Sequence, residues 1–126
     1  MTQIYTAFAS EAKVNGETIE GLQAIEYRQI KNRYDVGAIG TDERVGVYYG
    51  LKIVTGALRV ASANSTLDAL VSSNEEFSIS ATLRHADSSR TVTFDACRMD
   101  EKRFSLSTEA HGETVYSFTA TRVREE

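Results

Sequence analysis

The sequence predicts a mainly β domain with a single short helix. Turn signals recur at short intervals along the 126 residues, and most segments between them are rich in β-branched and aromatic side chains. In the C-terminal half, Phe77, Ile79, Ala81 and Leu83 alternate with polar residues, which is typical of a strand with one buried face. One segment only, residues 66–73, has apolar residues at helical spacing.

Composition and charge limit the function. The length fits one domain, residues 1–126, and the net charge of −4 argues against a protein that binds nucleic acid by neutralising phosphates. Cys97 is the one cysteine and has no internal disulfide partner, which fits a reducing cytosol. The sequence has neither a secretion signal nor the run of about 18 apolar residues that crosses a membrane. We therefore expect no membrane partner and synthesis in the cytoplasm.

Two hairpins are predicted in the first half. Asn15-Gly16 between two β-prone segments is a strong signal for a tight turn. Residues 22–36 and 48–61 are expected to pair antiparallel as the longest hairpin, around the glycine-rich loop 37–46. Both faces of this hairpin are polar, so an ordinary core cannot hold it. It therefore predicts contacts with other chains.

The helix is expected to begin after Ser65, with Asp68 completing a capping box, and to end at Asn74 in the left-handed conformation. Leu67 and Leu70 should pack on the core. At two turns, the helix needs the sheet for its stability.

A meander is predicted after the helix. Its expected turns are residues 86–89, 100–102 and 111–112. The core is predicted to contain the large apolar residues of this meander: Phe77, Ile79, Leu83, Val92, Phe94, Leu106, Tyr116 and Phe118.

Chemistry-bearing residues do not cluster in the sequence. His85 and His111 lie in predicted turns, without cysteine or carboxylate partners at metal-binding spacing. Cys97 lies in a predicted strand and is predicted to be a buried, inert thiol. No phosphate-binding glycine motif is present. We expect no catalytic, cofactor or metal site, and no enzyme activity.

Two features leave a structural and a functional interpretation open. The glycines of loop 37–46 fit a mobile hairpin tip or a loop that becomes ordered against a neighbouring subunit, and we favour the second. Tyr27, Tyr34, Tyr48 and Tyr49 fit a stacking platform for bases or sugars, or packing in a core or interface. Because no cluster of basic residues surrounds these tyrosines, we favour packing in a core or interface.

The order of these features resembles a known family. The N-terminal hairpin ends in Val14-Asn15-Gly16-Glu17-Thr18-Ile19, and a strand follows with Ile25-Glu26-Tyr27-Arg28-Gln29-Ile30-Lys31-Asn32 and then Asp35-Val36 and Ile39-Gly40. Gly50-Leu51-Lys52-Ile53-Val54-Thr55-Gly56-Ala57-Leu58 opens the next strand, and Arg90-Thr91-Val92-Thr93-Phe94-Asp95-Ala96-Cys97-Arg98-Met99 lies in the meander. From about Ala12 to Val123, this is similar to the tail tube proteins of contractile-tailed bacteriophages and phage-tail-like particles, especially prophage core tail proteins.

The resemblance implies an antiparallel β-sandwich or barrel with one short flanking α-helix and a long β-hairpin that joins an inter-subunit barrel. It further implies hexameric rings stacked into a tube inside a virion tail, a sheath outside, and DNA passing through the lumen without specific binding. Candidate channel-barrel residues are Gln23, Glu26, Arg28, Gln29, Lys31, Lys52, Thr55 and Arg59. Candidate contacts between rings or subunits are Gly37, Gly40, Thr41, Asp42, Glu43, Arg44 and Gly46. Because the two long strands carry basic as well as acidic side chains, the sequence does not show the acidic lumen common in the family.

A monomeric β-sandwich that binds a sugar or a protein is the competing interpretation. The sequence separates neither a tube protein from a tail terminator or baseplate homologue, nor DNA from a toxin as cargo.

Overall fold

The computed structural model describes Tyr5 and residues 10–85 and 88–126. One helix and eight strands lie within these residues: β1 (Glu11–Val14), β2 (Glu17–Thr18), β3 (Leu22–Val36), β4 (Gly46–Ala61), α1 (Ser65–Ser73), β5 (Phe77–His85), β6 (Ser88–Ser107), β7 (Ala110–Ala120) and β8 (Arg122–Glu125). Within that part of the chain, no helix is long and apolar enough to cross a membrane. The mainly β fold class with one short helix is confirmed.

The predicted turn at Asn15-Gly16 is confirmed. Both residues have positive φ, 51° and 85°, which is the conformation that asparagine and glycine tolerate best. The Asn15 side chain also accepts a hydrogen bond from the backbone N–H of Ser78 at 3.0 Å. This bond ties the first turn to the start of β5.

The long hairpin is confirmed as well. β3 pairs with β4 antiparallel from Leu22 opposite Val60 to Val36 opposite Gly46. β4 begins at Gly46, two residues before the predicted start, because pairing continues almost to the loop. An irregularity between Lys31 and Arg33 adds one residue to β4 and shifts the register of the outer part.

The helix begins one residue earlier than predicted, and Asn64 caps it rather than Ser65. The Asn64 side-chain oxygen accepts from the N–H of Leu67 at 3.1 Å. Asn74 ends the helix with φ of 58°, as expected. Leu67 and Leu70 are buried against the core, so the predicted docking face is confirmed.

β6 links two packed sheets. Its first half pairs with β5 and β8, and β5 continues to β1 and β2. Residues 98–107 of β6 pair with β7 instead, which continues to β4 and β3, and we call these four strands the second sheet. Ala96, with φ of 50°, lies where β6 passes from one sheet to the other. A long strand with a local irregularity thus joins both layers around one core.

Aromatic rings connect the layers. The ring of Phe94 meets Phe118 edge to face with centroids 5.4 Å apart, and meets Tyr27 at 5.0 Å. Six of the eight predicted core residues of the meander are buried: Phe77, Ile79, Val92, Phe94, Tyr116 and Phe118. Leu83 is only half-buried, and the prediction for Leu106 is wrong, since 69% of it is exposed.

Several predicted turns are wrong. The charged residues 100–102 do not turn the chain, because β6 runs through them with a bulge between Met99 and Glu101. The last hairpin turns at residues 108–109, so His111 lies in β7. His85 is the last residue of β5 rather than part of a turn. Of the predicted turn 86–89, residues 86 and 87 lie outside the described residues and the other two begin β6.

Candidate functional site

The second sheet has two strands that pair on one side only. β3 bonds to β4 along its 15 residues and to no other described strand. Past Cys97, where its pairing with β5 ends, β6 bonds only to β7. Both outer strands therefore present rows of backbone N–H and C=O groups, which is a template for pairing with another chain.

Half of the predicted channel-strand residues share the face of this sheet that points away from the core. Leu58 and Gly56 face inward opposite Ile25 and Tyr27, so the neighbours along each strand face outward. The outward set is Glu26, Arg28, Thr55 and Arg59.

Charges on this outward face are balanced. The Arg59 Nε atom lies 2.6 Å from the Glu113 carboxylate on β7. The Arg28 guanidinium donates to the Thr55 hydroxyl at 3.4 Å. Arg28 and Thr55 line a shallow depression of about 580 Å³ together with Glu26 and Asp100. The face is polar without a net acidic or basic character.

The remaining channel candidates lie elsewhere. Gln29, Lys31 and Lys52 belong to the opposite, inward-pointing side of the hairpin, and the two lysines pair directly across the strands. Gln23 lies at the irregularity that starts β3 and donates to the backbone oxygen of Gly21 at 3.4 Å. The structure therefore separates these four residues from the outward set.

The loop 37–46 closes the outer end of the hairpin. The N–H of Val45 donates to the carbonyl of Val36 at 2.8 Å, and Thr41 accepts from the N–H of Glu43 at 3.1 Å. The Arg44 guanidinium lies 3.3 Å from the Asp35 carboxylate. Gly40 is the loop glycine whose φ, 93°, requires glycine. The predicted loop residues thus lie together at one tip.

The aromatic residues divide between core and tip. Tyr27 packs in the core, and burial raises its pKa to about 12, with a further contribution from its hydrogen bond to Glu125. Tyr34 and Tyr48 stack with centroids 5.0 Å apart near the hairpin tip, where they and Tyr49 are exposed. Gly50 leaves room for the Tyr34 ring, which a Cβ there would meet at 2.8 Å. Core packing is confirmed for Tyr27, while the tip tyrosines have no cover within the described chain.

A small polar cluster joins the helix to the second sheet. The buried Tyr116 hydroxyl donates to Asp68 at 2.7 Å and accepts from the N–H of Asn64 at 3.2 Å. The Lys102 ammonium lies 2.6 Å from Asp68 and, with the tyrosine, lowers the pKa of that carboxyl. Burial raises the pKa of Tyr116 to about 12. These groups satisfy one another, so we interpret the cluster as structural.

Reactive groups do not gather in the described part of the chain. Cys97 is buried as predicted, and desolvation raises its pKa to about 12, so it stays a thiol at neutral pH. No group of three metal-ligating side chains occurs in the described ranges.

One surface was missed by the sequence reasoning. Phe104 and Leu106, on the outer half of β6, are 55% and 69% exposed. Leu106 was predicted in the core, and the only contrary signal was the cluster of charged residues just before Phe104.

Comparison with known proteins gives the fold. No family model and no curated protein matches the sequence. Among solved structures, the chain is similar to the tube-terminating cap of the anti-feeding prophage, with a TM-score of 0.71, 9% identity and coverage of 100% of this chain and 93% of that one. It is similar to a chain of the sheath–tube complex of an extracellular contractile injection system, PVC, with a TM-score of 0.70, 14% identity and coverage of 98% and 91%. A chain from the virion of a native gene transfer agent matches with a TM-score of 0.69, 11% identity and coverage of 98% and 99%. The resemblance inferred from the sequence is thus confirmed at the level of the fold.

Proposed function

We propose that the chain is a structural tube subunit, without enzymatic activity, that assembles into hexameric rings stacked as the inner tube of a phage-like tail. The observation that carries this proposal is the second sheet, which has two open edges and a polar face turned away from the core. The tube would be a conduit for DNA or an effector, inside a sheath, in a particle made in the host cytoplasm. The similarity to tube and virion chains supports this role.

The strand directions suit ring closure. The four strands of the second sheet alternate in direction, so β3 runs opposite to residues 98–107 of β6. Rotation about a ring axis preserves strand direction along that axis. β3 of one copy therefore meets β6 of the next antiparallel, which continues the pattern of the sheet and removes both open edges.

In such a ring, the outward face would line the lumen. Glu26 and Glu113 offset Arg28 and Arg59 on this face. Tight binding of DNA depends on a cationic surface that replaces its counterions, and a balanced polar lining lacks one. The lumen would let DNA pass without specific binding.

Stacking of rings is assigned to loop 37–46, where Asp42, Glu43 and Arg44 would form ion pairs with the next ring. One exposed pair contributes only about 0–1 kcal/mol, but symmetry repeats the contact around each ring. Deletion of residues 41–45 should leave the subunit folded and the rings intact, and should abolish tube elongation.

The test combines circular dichroism, mass photometry and negative-stain electron microscopy of the wild type and the deletion variant. Wild-type tubes and variant rings are expected. Wild-type protein that stays a 13.9 kDa monomer at all concentrations would contradict the proposal and favour the monomeric binding module. Long tubes from the deletion variant would show that the loop does not join the rings, and an unfolded variant would show that the loop serves the fold.

A further inference from the structure

Exposed large apolar side chains are concentrated at two places on the described surface. All but Tyr5 lie at the outer end of the β3–β4 hairpin or near the end of the β6–β7 hairpin. The first group is Tyr34, Val36, Ile39, Val45, Val47, Tyr48, Tyr49 and Leu51, which we call the tip. The second is Phe104 and Leu106, which we call the acceptor patch.

These two surfaces lie at opposite ends of the second sheet. β4 pairs with β7 from Val54 opposite Ala120 to Ala61 opposite Glu113. The tip extends past the Ala120 end, because β4 continues from Val54 back to Gly46. The turn between β6 and β7 lies past the Glu113 end. The two hairpins therefore point in opposite directions along the strands.

The acceptor patch is built around a glycine. A Cβ atom at Gly112 would lie 3.3 Å from the Phe104 ring and 3.6 Å from the Leu106 side chain, so both side chains rest over the bare backbone of β7. Nothing in the described chain covers their outer surfaces. They form a small, supported apolar surface at the strand ends.

The register shows on which face the acceptor patch lies. Phe104 pairs with the buried Thr114, so its side chain is on the core-facing side of the second sheet. Arg103 pairs with Val115, which lies opposite Arg59, so Arg103 is on the outward face and not beside the patch. Lys102, on the same side as Phe104, is held by Asp68 at 2.6 Å. The patch is therefore an apolar surface whose basic neighbour is already paired.

We infer that the acceptor patch, Phe104 and Leu106, is the docking site for the hairpin tip of a second copy of this chain in the adjacent ring. This inference rests on the proposed tube function and names the surface that loop 37–46 and the strand ends beside it contact in the next ring. Two different patches on opposite ends of one subunit make a head-to-tail contact, which propagates without limit along an axis. Apolar contacts between the tip and the patch supply the burial.

Cross-linking between singly substituted subunits tests the contact directly. Ile39→Cys protein is mixed with Leu106→Cys protein under assembly conditions and treated with a short bismaleimide. A covalent dimer is expected from the mixture and not from either variant alone. The control mixture pairs Ile39→Cys with Ser72→Cys, an exposed helix position, and should give none. Cys97 is buried, so unsubstituted protein should give no product.

Dimers from Ile39→Cys alone would overturn the inference, because they would show tip-to-tip packing. The absence of dimers from the mixture, in a preparation that electron microscopy shows to contain tubes, would also overturn it.

Assembly of patch variants gives an independent readout. Phe104→Ser and Leu106→Ser are expected to form hexameric rings in mass photometry and to lose tubes in electron microscopy. Full-length tubes from the serine variants, or folded variants that form no rings, would overturn the inference, since the patch would then be idle or serve ring closure. If a serine variant fails to fold, the cross-linking result decides. A wild type that stays monomeric would instead refute the tube proposal itself.

Discussion

The inner and outer halves of the long hairpin differ in what holds them. In the inner half, residues 22–29 and 54–61, Val54, Leu58 and Val60 are buried and Tyr27 packs on Phe94. In the outer half, residues 30–36 and 46–53, no side chain is buried, and Tyr48, Tyr49 and Leu51 are largely exposed. Both halves share the ladder between β3 and β4, but only the inner half of β4 also pairs with β7 and lies over the core.

This contrast separates folding from assembly. A two-stranded ribbon without cover is marginally stable in water. The outer half is nevertheless rich in aromatic and aliphatic residues, which a free subunit would be expected to avoid on its surface. We conclude that the inner half is specified by the subunit's own core and the outer half by contacts with other copies.

The largest expected difference in unfolding free energy comes from truncating an aromatic core side chain that packs beneath the inner half of the hairpin. Phe118 is 1% exposed and packs edge to face on Phe94. Phe118→Ala should cost about 3–5 kcal/mol in urea unfolding of the dissociated subunit. Leu51→Ala, in the outer half, should change the unfolding free energy by less than about 0.5 kcal/mol. Equal losses would contradict the division of the hairpin.

Two glycines of the same hairpin unit sharpen the comparison. A Cβ at Gly56, in the inner half, would lie 2.6 Å from the Phe118 ring and 2.7 Å from the carbonyl oxygen of Glu26. Gly56→Ala should therefore destabilise the subunit by about 1–3 kcal/mol, because overpacking must displace backbone or an aromatic ring. Gly37, beside the outer half, has no atom within 4 Å of such a Cβ. Gly37→Ala is the matched control, and a comparable loss there would count against the account.

A smaller effect concerns acid stability. Hydrogen bonds from Lys102 and Tyr116 lower the pKa of Asp68 in the folded state, so its contribution is present above the ordinary pKa of about 3.9 and is lost as the pH falls through the lowered folded value. Asp68→Asn should cost about 1 kcal/mol near pH 7 and flatten the decline of unfolding free energy below about pH 4. Asp42→Asn, at the tip, should leave the neutral-pH value unchanged. An unaltered acid profile of the Asp68 variant would show that the cluster does not stabilise the fold.

Local signals predicted the parts of the fold that depend on local chemistry. Asn15-Gly16 and Asn74 adopt the positive φ that their residue types favour, and the β-prone run of β3 forms a strand with the predicted bounds. The charged residues near Asp100 suggested a turn, but a bulge lets β6 pass through them, because pairing with β7 is worth more than the local preference.

Features set by distant layers could not be predicted. Leu106 continues an apolar alternation, but β5 pairs with β6 only as far as Cys97 and nothing covers the strand beyond. Polar residues lie on both faces of β3, and which face meets the core depends on Phe94 and Phe118 from other strands. The candidate channel residues were therefore divided between both faces.

Hydrogen–deuterium exchange across assembly tests the central claim most directly. The amides of β3 that point away from β4 should exchange rapidly in dilute, dissociated subunits and become strongly protected in assembled protein. The amides of residues 98–107 that point away from β7 should behave in the same way. Amides at the centre of β7, which is paired on both sides, should be protected in both states. Unchanged exchange along β3 in assembled protein, or no assembly at any concentration, would contradict the account.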